Sequence, residues 1–202
     1  MDEDNDNKAR RPARKRREYA PRAPRPLDAA QLQDLALGYA ARYATTAAKL
    51  RRYLTNKLRE RDWTPADPAD IDALVARIVA LGFVDDRAFA ASRARDLTAR
   101  GFGMGRVRGA LAAAGVSKVD AGAALTPEDD GVADPFVAAI AFARRRRFGP
   151  FAREMGSKTS NDPARQRREL AAMARAGHDF GVARRVLMAA DEIAALALAG
   201  AE

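Results

Sequence analysis

Three places in the 202-residue sequence carry residue types that could do chemistry. Asp85-Asp86 is an adjacent carboxylate pair, which can hold a divalent cation. Gly101-Phe102-Gly103-Met104-Gly105 is a glycine-rich run of the kind that cradles phosphate with backbone amides. His178 is the only histidine, the side chain whose ordinary pKa lies nearest neutrality. Each has a plainer reading. Asp85 and Asp86 stand where a helix start needs an N-cap and gains from negative charge. The glycine run has no strand before it, and Arg106 occupies the place where a dinucleotide fingerprint needs its third glycine. It therefore reads as a helix stop followed by a tight helix start. His178 directly follows Gly177 and has no cysteine to pair with, so it reads as a turn or helix-entry residue. The chain has no cysteine at all, which removes disulfides, thiolate metal sites and cysteine nucleophiles. The sequence thus names no catalytic residue, no metal ligand and no cofactor, and it reads as a binding protein.

The basic residues are the stronger lead. The net charge is +9 and the pI about 10.4. Arg144, Arg145, Arg146 and Arg147 cover more than one helical turn and cannot share a face. Arg165 and Arg168 do share one, at i and i+3, with Arg167 beside them. Arg51 with Arg52, Arg106 with Arg108, and Arg184 with Arg185 add basic pairs elsewhere. The segment 134–190 holds twelve basic and five acidic residues, net +7, whereas 126–133 is net −3. Such a distribution solubilises a surface, or forms a discontinuous track for DNA phosphate or an acidic partner. Aromatics are too few for base-by-base stacking, so sequence-specific readout is not expected.

These residues need elements to position them, and the periodicity is helical throughout. Ile71, Leu74, Val75, Ile78 and Leu81 mark one face of a helix over 69–81. Gly82 stops it, Asp85 starts the next helix, and Phe83 and Val84 form an apolar plug in the corner. Phe89 is expected to fill the core between the two units. Earlier, helices start near Asp28 and at Thr45-Thr46, the second ending at Trp63. Later starts are expected at Gly103, Ser117, Asp134-Pro135 and Asp162-Pro163, with stops at Gly101, Gly115 and Gly177. A last helix carries Val182, Val186, Leu187 and Ile193. No strand pattern is present.

Three middle helices align: Leu58 to Asp62-Trp63, Leu111 to Gly115-Val116, and Met173 to Gly177-His178. The expected architecture is all-α, with three tandem three-helix repeats over 28–84, 85–125 and 134–190 forming an elongated, curved body. A disordered basic arm precedes them at 1–27, an acidic linker lies at 126–133, and 191–202 is a C-terminal helix extension or tail. The polar N-terminus and the lack of an apolar run of about 18 residues lead to an expectation of a cytoplasmic protein.

Gly82-Phe83-Val84-Asp85-Asp86-Arg87-Ala88-Phe89-Ala90 resembles the Gly-x-Leu-Asp-Asp-x-x-Phe-Ala motif of the RecX family. Gly103-Met104-Gly105-Arg106-Val107-Arg108, Leu111 and Gly115-Val116 resemble that family's second motif, and Arg147-Phe148-Gly149 its basic-aromatic-Gly helix end. The resemblance spans about 28 to 190. It implies a regulatory protein that binds the RecA recombinase filament and DNA within it; the missing catalytic constellation leads to an expectation of no enzyme, and a monomer is expected. It also implies inhibition of RecA's ATPase and recombinase activities, in homologous recombination, DNA repair and the SOS response, without cofactor or membrane. The alternative reading is a general, non-sequence-specific DNA-binding helical protein. One departure stands out: the family's second helix opens Ser-x-x-Glu-Leu, a capping box, whereas this chain has Thr46-Ala47-Ala48-Lys49-Leu50. Without the reciprocal Glu, that cap is expected to be weaker.

Overall fold

The computed structural model describes residues 25–125, 134–152 and 162–200. The linker expected at 126–133 and all of the arm before residue 25 lie outside these. Among the described residues the chain forms ten α-helices: α1 (Ala29–Arg42), α2 (Ala47–Glu60), α3 (Ile71–Ala80), α4 (Asp86–Ala99), α5 (Met104–Ala113), α6 (Lys118–Ala123), α7 (Pro135–Arg146), α8 (Pro163–Arg175), α9 (Phe180–Leu187) and α10 (Glu192–Ala197). Two 3-10 turns, Gly149–Phe151 and Leu198–Gly200, complete the list. No strand occurs among the described residues, only an isolated bridge between Leu27 and Trp63. The protein is all-helical, and none of its described helices is long and apolar enough to cross a membrane.

Local chemistry explains most helix ends. Asp28, Thr46, Asp70, Asp85, Ser117, Asp134, Asp162, Asp179 and Asp191 each accept a first-turn backbone N–H. Gly103, at the head of α5, has no side chain to do so. Gly82, Gly101, Gly115 and Gly177 follow helix ends at φ of +77°, +76°, +77° and +88°, in the left-handed region that costs a side chain most. The α2 helix stops at Glu60 rather than Trp63; the indole N–H instead donates to the Asp67 carbonyl at 2.8 Å.

Three apolar clusters follow the chain. Leu27, Leu50, Leu54, Val75, Ile78 and Val84 anchor the first, among α1, α2 and α3. Ala90, Ala94, Leu97, Val107 and Leu111 anchor the second, among α4, α5 and α6. Ile140, Phe142, Phe151, Met173 and Val186 anchor the third, and Ala195 of α10 joins it. Each fully buried Leu or Ile contributes about 1.5–3 kcal/mol relative to an exposed one.

Three expectations need correction. Only half of the corner plug is a plug: Val84 is 3% exposed and Phe83 is 53% exposed. Leu81, the C-cap of α3, also faces outward. The last helix is two: Met188 ends α9, and Asp191 caps a new helix in which Ile193 is exposed.

The clusters are joined at two seams, where the start of one middle helix meets the end of the next. At the first, the Thr46 hydroxyl at the head of α2 donates to the Ala114 carbonyl at the end of α5, at 2.6 Å. Asp86 of α4 accepts from the Ala47 amide at 2.8 Å. Ala48 lies so close to Gly115 that a Cβ there would overlap it. At the second seam, the Gly103 and Gly105 amides at the head of α5 donate to the Ala176 and Gly177 carbonyls at the end of α8, both at 2.9 Å. A Cβ on Gly103 would overlap the Gly177 carbonyl, and one on Gly177 would overlap Arg106.

Candidate functional site

Arg184 and Arg185 lie on α9, with Arg185 over the Phe136 ring at 4.7 Å, and the other eleven arginines singled out by sequence fall into two groups. Five are engaged within the fold. Arg51 pairs with Asp72, and Arg144 reaches Glu192 at 3.1 Å. Arg165 pairs with the buried Glu169 at 2.7 Å, and the other Glu169 oxygen accepts the Gly149 amide at 3.0 Å. Glu169, charge-paired within α8 by Arg165, therefore fastens α8 to the turn after α7. Arg168 stands 3.9 Å from Asp162, and Arg167 donates to the Pro163 carbonyl. The exposed pairs among these are worth roughly 0–1 kcal/mol each.

Arg52, Arg106, Arg108, Arg145, Arg146 and Arg147 are exposed and have no carboxylate at ion-pair distance among the described residues. Arg147 ends α7 at φ +58°, where a glycine would be more usual. Arg106 lies over the Phe102 ring at 4.7 Å, and Arg145 and Arg146 over Phe142 at 5.9 and 5.7 Å. Both rings sit at the second seam. Phe102 packs on the second and third clusters, and Gly101 abuts the Phe142 backbone so closely that a Cβ would lie 3.0 Å from its nitrogen. The fold therefore gathers Arg106, Arg145 and Arg146 near one seam. Arg51 and Arg52 are exposed elsewhere, on α2.

The residues whose types could do chemistry are engaged within the fold. Asp85 caps its own helix through the Ala88 amide at 2.8 Å, while Asp86 caps α2 across the first seam. Among the described residues, no group of three or more His, Cys, Asp or Glu is placed to hold a metal. The glycine run is no phosphate cradle, because four of its amides are already bonded: Gly101 and Phe102 to the Thr98 and Leu97 carbonyls of α4, Gly103 and Gly105 to the Ala176 and Gly177 carbonyls just past α8. His178 is buried; its Nε2–H donates to the Gly101 carbonyl at 3.1 Å, and its ring centre lies 5.4 Å from that of Phe142. Burial pushes its pKa below the ordinary histidine value, against the opposing pull of the Gly101 carbonyl.

Sequence reasoning missed Lys49. Its ammonium lies 4.4 Å from the centre of the Phe89 ring, at the edge of a cleft between α2 and α4. Phe89 is half-buried: it packs on the second cluster, as expected of a core residue, and also lines that cleft. The absence of Glu at position 49 was the only signal. The capping deficit it implied is offset by Asp86, which serves the α2 start from 39 residues away.

The chain is similar to Regulatory protein RecX of Myxococcus xanthus (strain DK1622), at 33% identity over 185 residues, covering 86% of this chain and 92% of the relative. Its fold is similar to the crystal structure of RecX from Lactobacillus salivarius, with a TM-score of 0.57 and 14% identity over 77% of this chain and 91% of that one. A second crystal structure, of a regulatory protein RecX, gives a TM-score of 0.54 and 18% identity over 77% of this chain and 71% of that one. No protein-family model matches the chain.

Proposed function

The chain belongs to the RecX family of regulatory proteins, and from this we propose that it binds the RecA–DNA filament and inhibits RecA's ATPase and strand-exchange activities. The single observation that carries the reading is 33% identity over almost the whole of both chains. The protein acts as a cytoplasmic monomer, without a cofactor and without catalysis of its own. Its exposed arginines contribute by neutralising phosphate along the DNA of the filament, foremost Arg106, Arg145 and Arg146 near the second seam.

The test is RecA's single-strand-dependent ATPase, with this protein added below stoichiometry to preformed filaments. Turnover should fall well before one molecule is present per RecA. No change over the whole titration rejects the reading. Replacing Arg106, Arg108, Arg145 and Arg146 with Ala should leave melting almost unchanged, weaken filament binding, and flatten its salt dependence by a slope of up to about 0.7 per lost single-strand phosphate contact. Arg165 is left intact in this variant, because its removal would strand the buried Glu169.

General DNA binding is the second reading, favoured by the +9 charge and by the arginines without carboxylate partners. Gel shifts separate the two. Equal affinity for bare single strands and for RecA filaments, across a range of salt, selects the second.

A further inference from the structure

The cleft between α2 and α4 has a volume of about 590 Å³ and is lined by Lys49, Phe89, Ser92, Arg93 and Asp96. Ala44 and the alanines at the end of α5 (Ala110, Ala113 and Ala114) complete its wall. Lys49 occupies a poor place for a cation. It stands in the first turn of α2, at the positive end of the helix dipole. Partial burial and the neighbouring Arg93 and Arg52 all push its pKa down. No carboxylate among the described residues pairs with Lys49, Arg93 or Arg52, and Asp96 is not within ion-pair distance of any of them. These cations repel one another and none closes an ion pair with the one carboxylate of the lining, Asp96, so an incoming anion would find them already gathered.

The wall decides between the two polyanions a filament offers. It is mainly alanine and Phe89, with one carboxylate, Asp96, set among the cations. A continuous phosphodiester would bring a second charge against Asp96 and would gain nothing from the alanines. A peptide can place one carboxylate on the cations, an apolar side chain on the alanine wall, and a backbone amide toward Asp96. We propose that this cleft seats an acidic, apolar-flanked peptide segment of the protein partner, its carboxylate held between Lys49 and Arg93 and its apolar neighbour against Phe89. The proposal rests on the filament-binding reading above and assigns the protein half of that contact to the first seam.

The experiment compares two probes, RecA filaments assembled on poly-dT with a non-hydrolysable ATP analogue and the same poly-dT without RecA. The variants are Lys49→Met alone and Lys49→Met with Arg93→Met. Methionine keeps an unbranched stem against Phe89 and removes the charge. Both should retain wild-type helix content and melting; should the double variant not fold, Lys49→Met decides the matter alone. The double variant should bind filaments at least about tenfold more weakly, with poly-dT affinity unchanged within about twofold. Wild-type filament binding that survives both substitutions overturns the cleft and leaves the family function standing. Equal losses on both probes show that the cleft holds phosphate, which also overturns it. If the wild-type chain ignores filaments, this proposal and the function it rests on fall together.

Discussion

At the first seam side chains make the join: a threonine hydroxyl reaches one carbonyl, and an aspartate carboxylate reaches one amide. At the second seam the same kind of contact, helix start against helix end, is made almost entirely by backbone. Two glycine amides meet two carbonyls, with a third glycine at φ +88° letting the strands of chain approach. A side-chain join can be weakened by degrees, because removing one atom removes one bond. A backbone join offers no side chain to trim, and at Gly103 and Gly177 a Cβ would meet opposing backbone, whereas the tight glycine of the first seam, Gly115, meets only the Ala48 methyl. The difference teaches where in this fold a small change has large consequences.

Gly177→Ala should break the second seam hardest. The new Cβ would overlap the Arg106 backbone, and alanine would be held at positive φ. Overpacking and left-handed strain together should cost roughly 3 kcal/mol or more, read as a large fall in the denaturation midpoint. Stability within about 0.5 kcal/mol of wild type would mean that the two helices are not in contact there.

Thr46→Val tests the first seam at constant volume. It removes the hydroxyl that donates to Ala114 and accepts from the Lys49 amide. The cost should be about 2 kcal/mol, combining a lost buried hydrogen bond and a lost cap. Asp86→Ala should cost about 1 kcal/mol, similar to Asp85→Ala, yet only the former should be coupled to Thr46 in a double-mutant cycle. Strict additivity of Thr46 and Asp86 would deny that the two act at one seam.

The smallest effect is set by pH and belongs to the second seam. Native His178 has its pKa lowered by burial, whereas the unfolded ring titrates near 6.5. Its contribution to stability is whole above about pH 6.5 and declines as acid protonates the unfolded chain first, until the native ring titrates too. Urea midpoints at about pH 7.5 and about pH 5.5 should differ more for wild type than for His178→Gln. Equal differences would place the pH dependence elsewhere.

Much of this fold is legible because its signals are local. Asp28, Asp85, Ser117, Asp134 and Asp162 cap helices a few residues away, and Gly82, Gly115 and Gly177 stop helices that end just before them. The seams are not legible in that way. Nothing near Asp86 says that its oxygen serves Ala47, and nothing near Gly103 says that Gly177 must pass beside it. Exposure is equally non-local: Phe83 and Val84 are alike in sequence and opposite in burial. The arginine track is legible as composition only. Which guanidinium is tied down, as Arg165 is by Glu169, depends on whether a carboxylate happens to lie opposite.

The reach of the seams along the chain also sets an order of events in folding. Thr46 meets Ala114 across 68 residues and His178 meets Gly101 across 77, whereas the helices within each cluster follow one another directly. Closing longer loops is entropically harder, so the clusters should assemble early and the seams close late. Late contacts govern how fast a protein comes apart more than how fast it forms. The glycine seam therefore acts chiefly as a latch on unfolding, and a chain with a damaged seam should refold about as quickly as wild type while surviving for a shorter time.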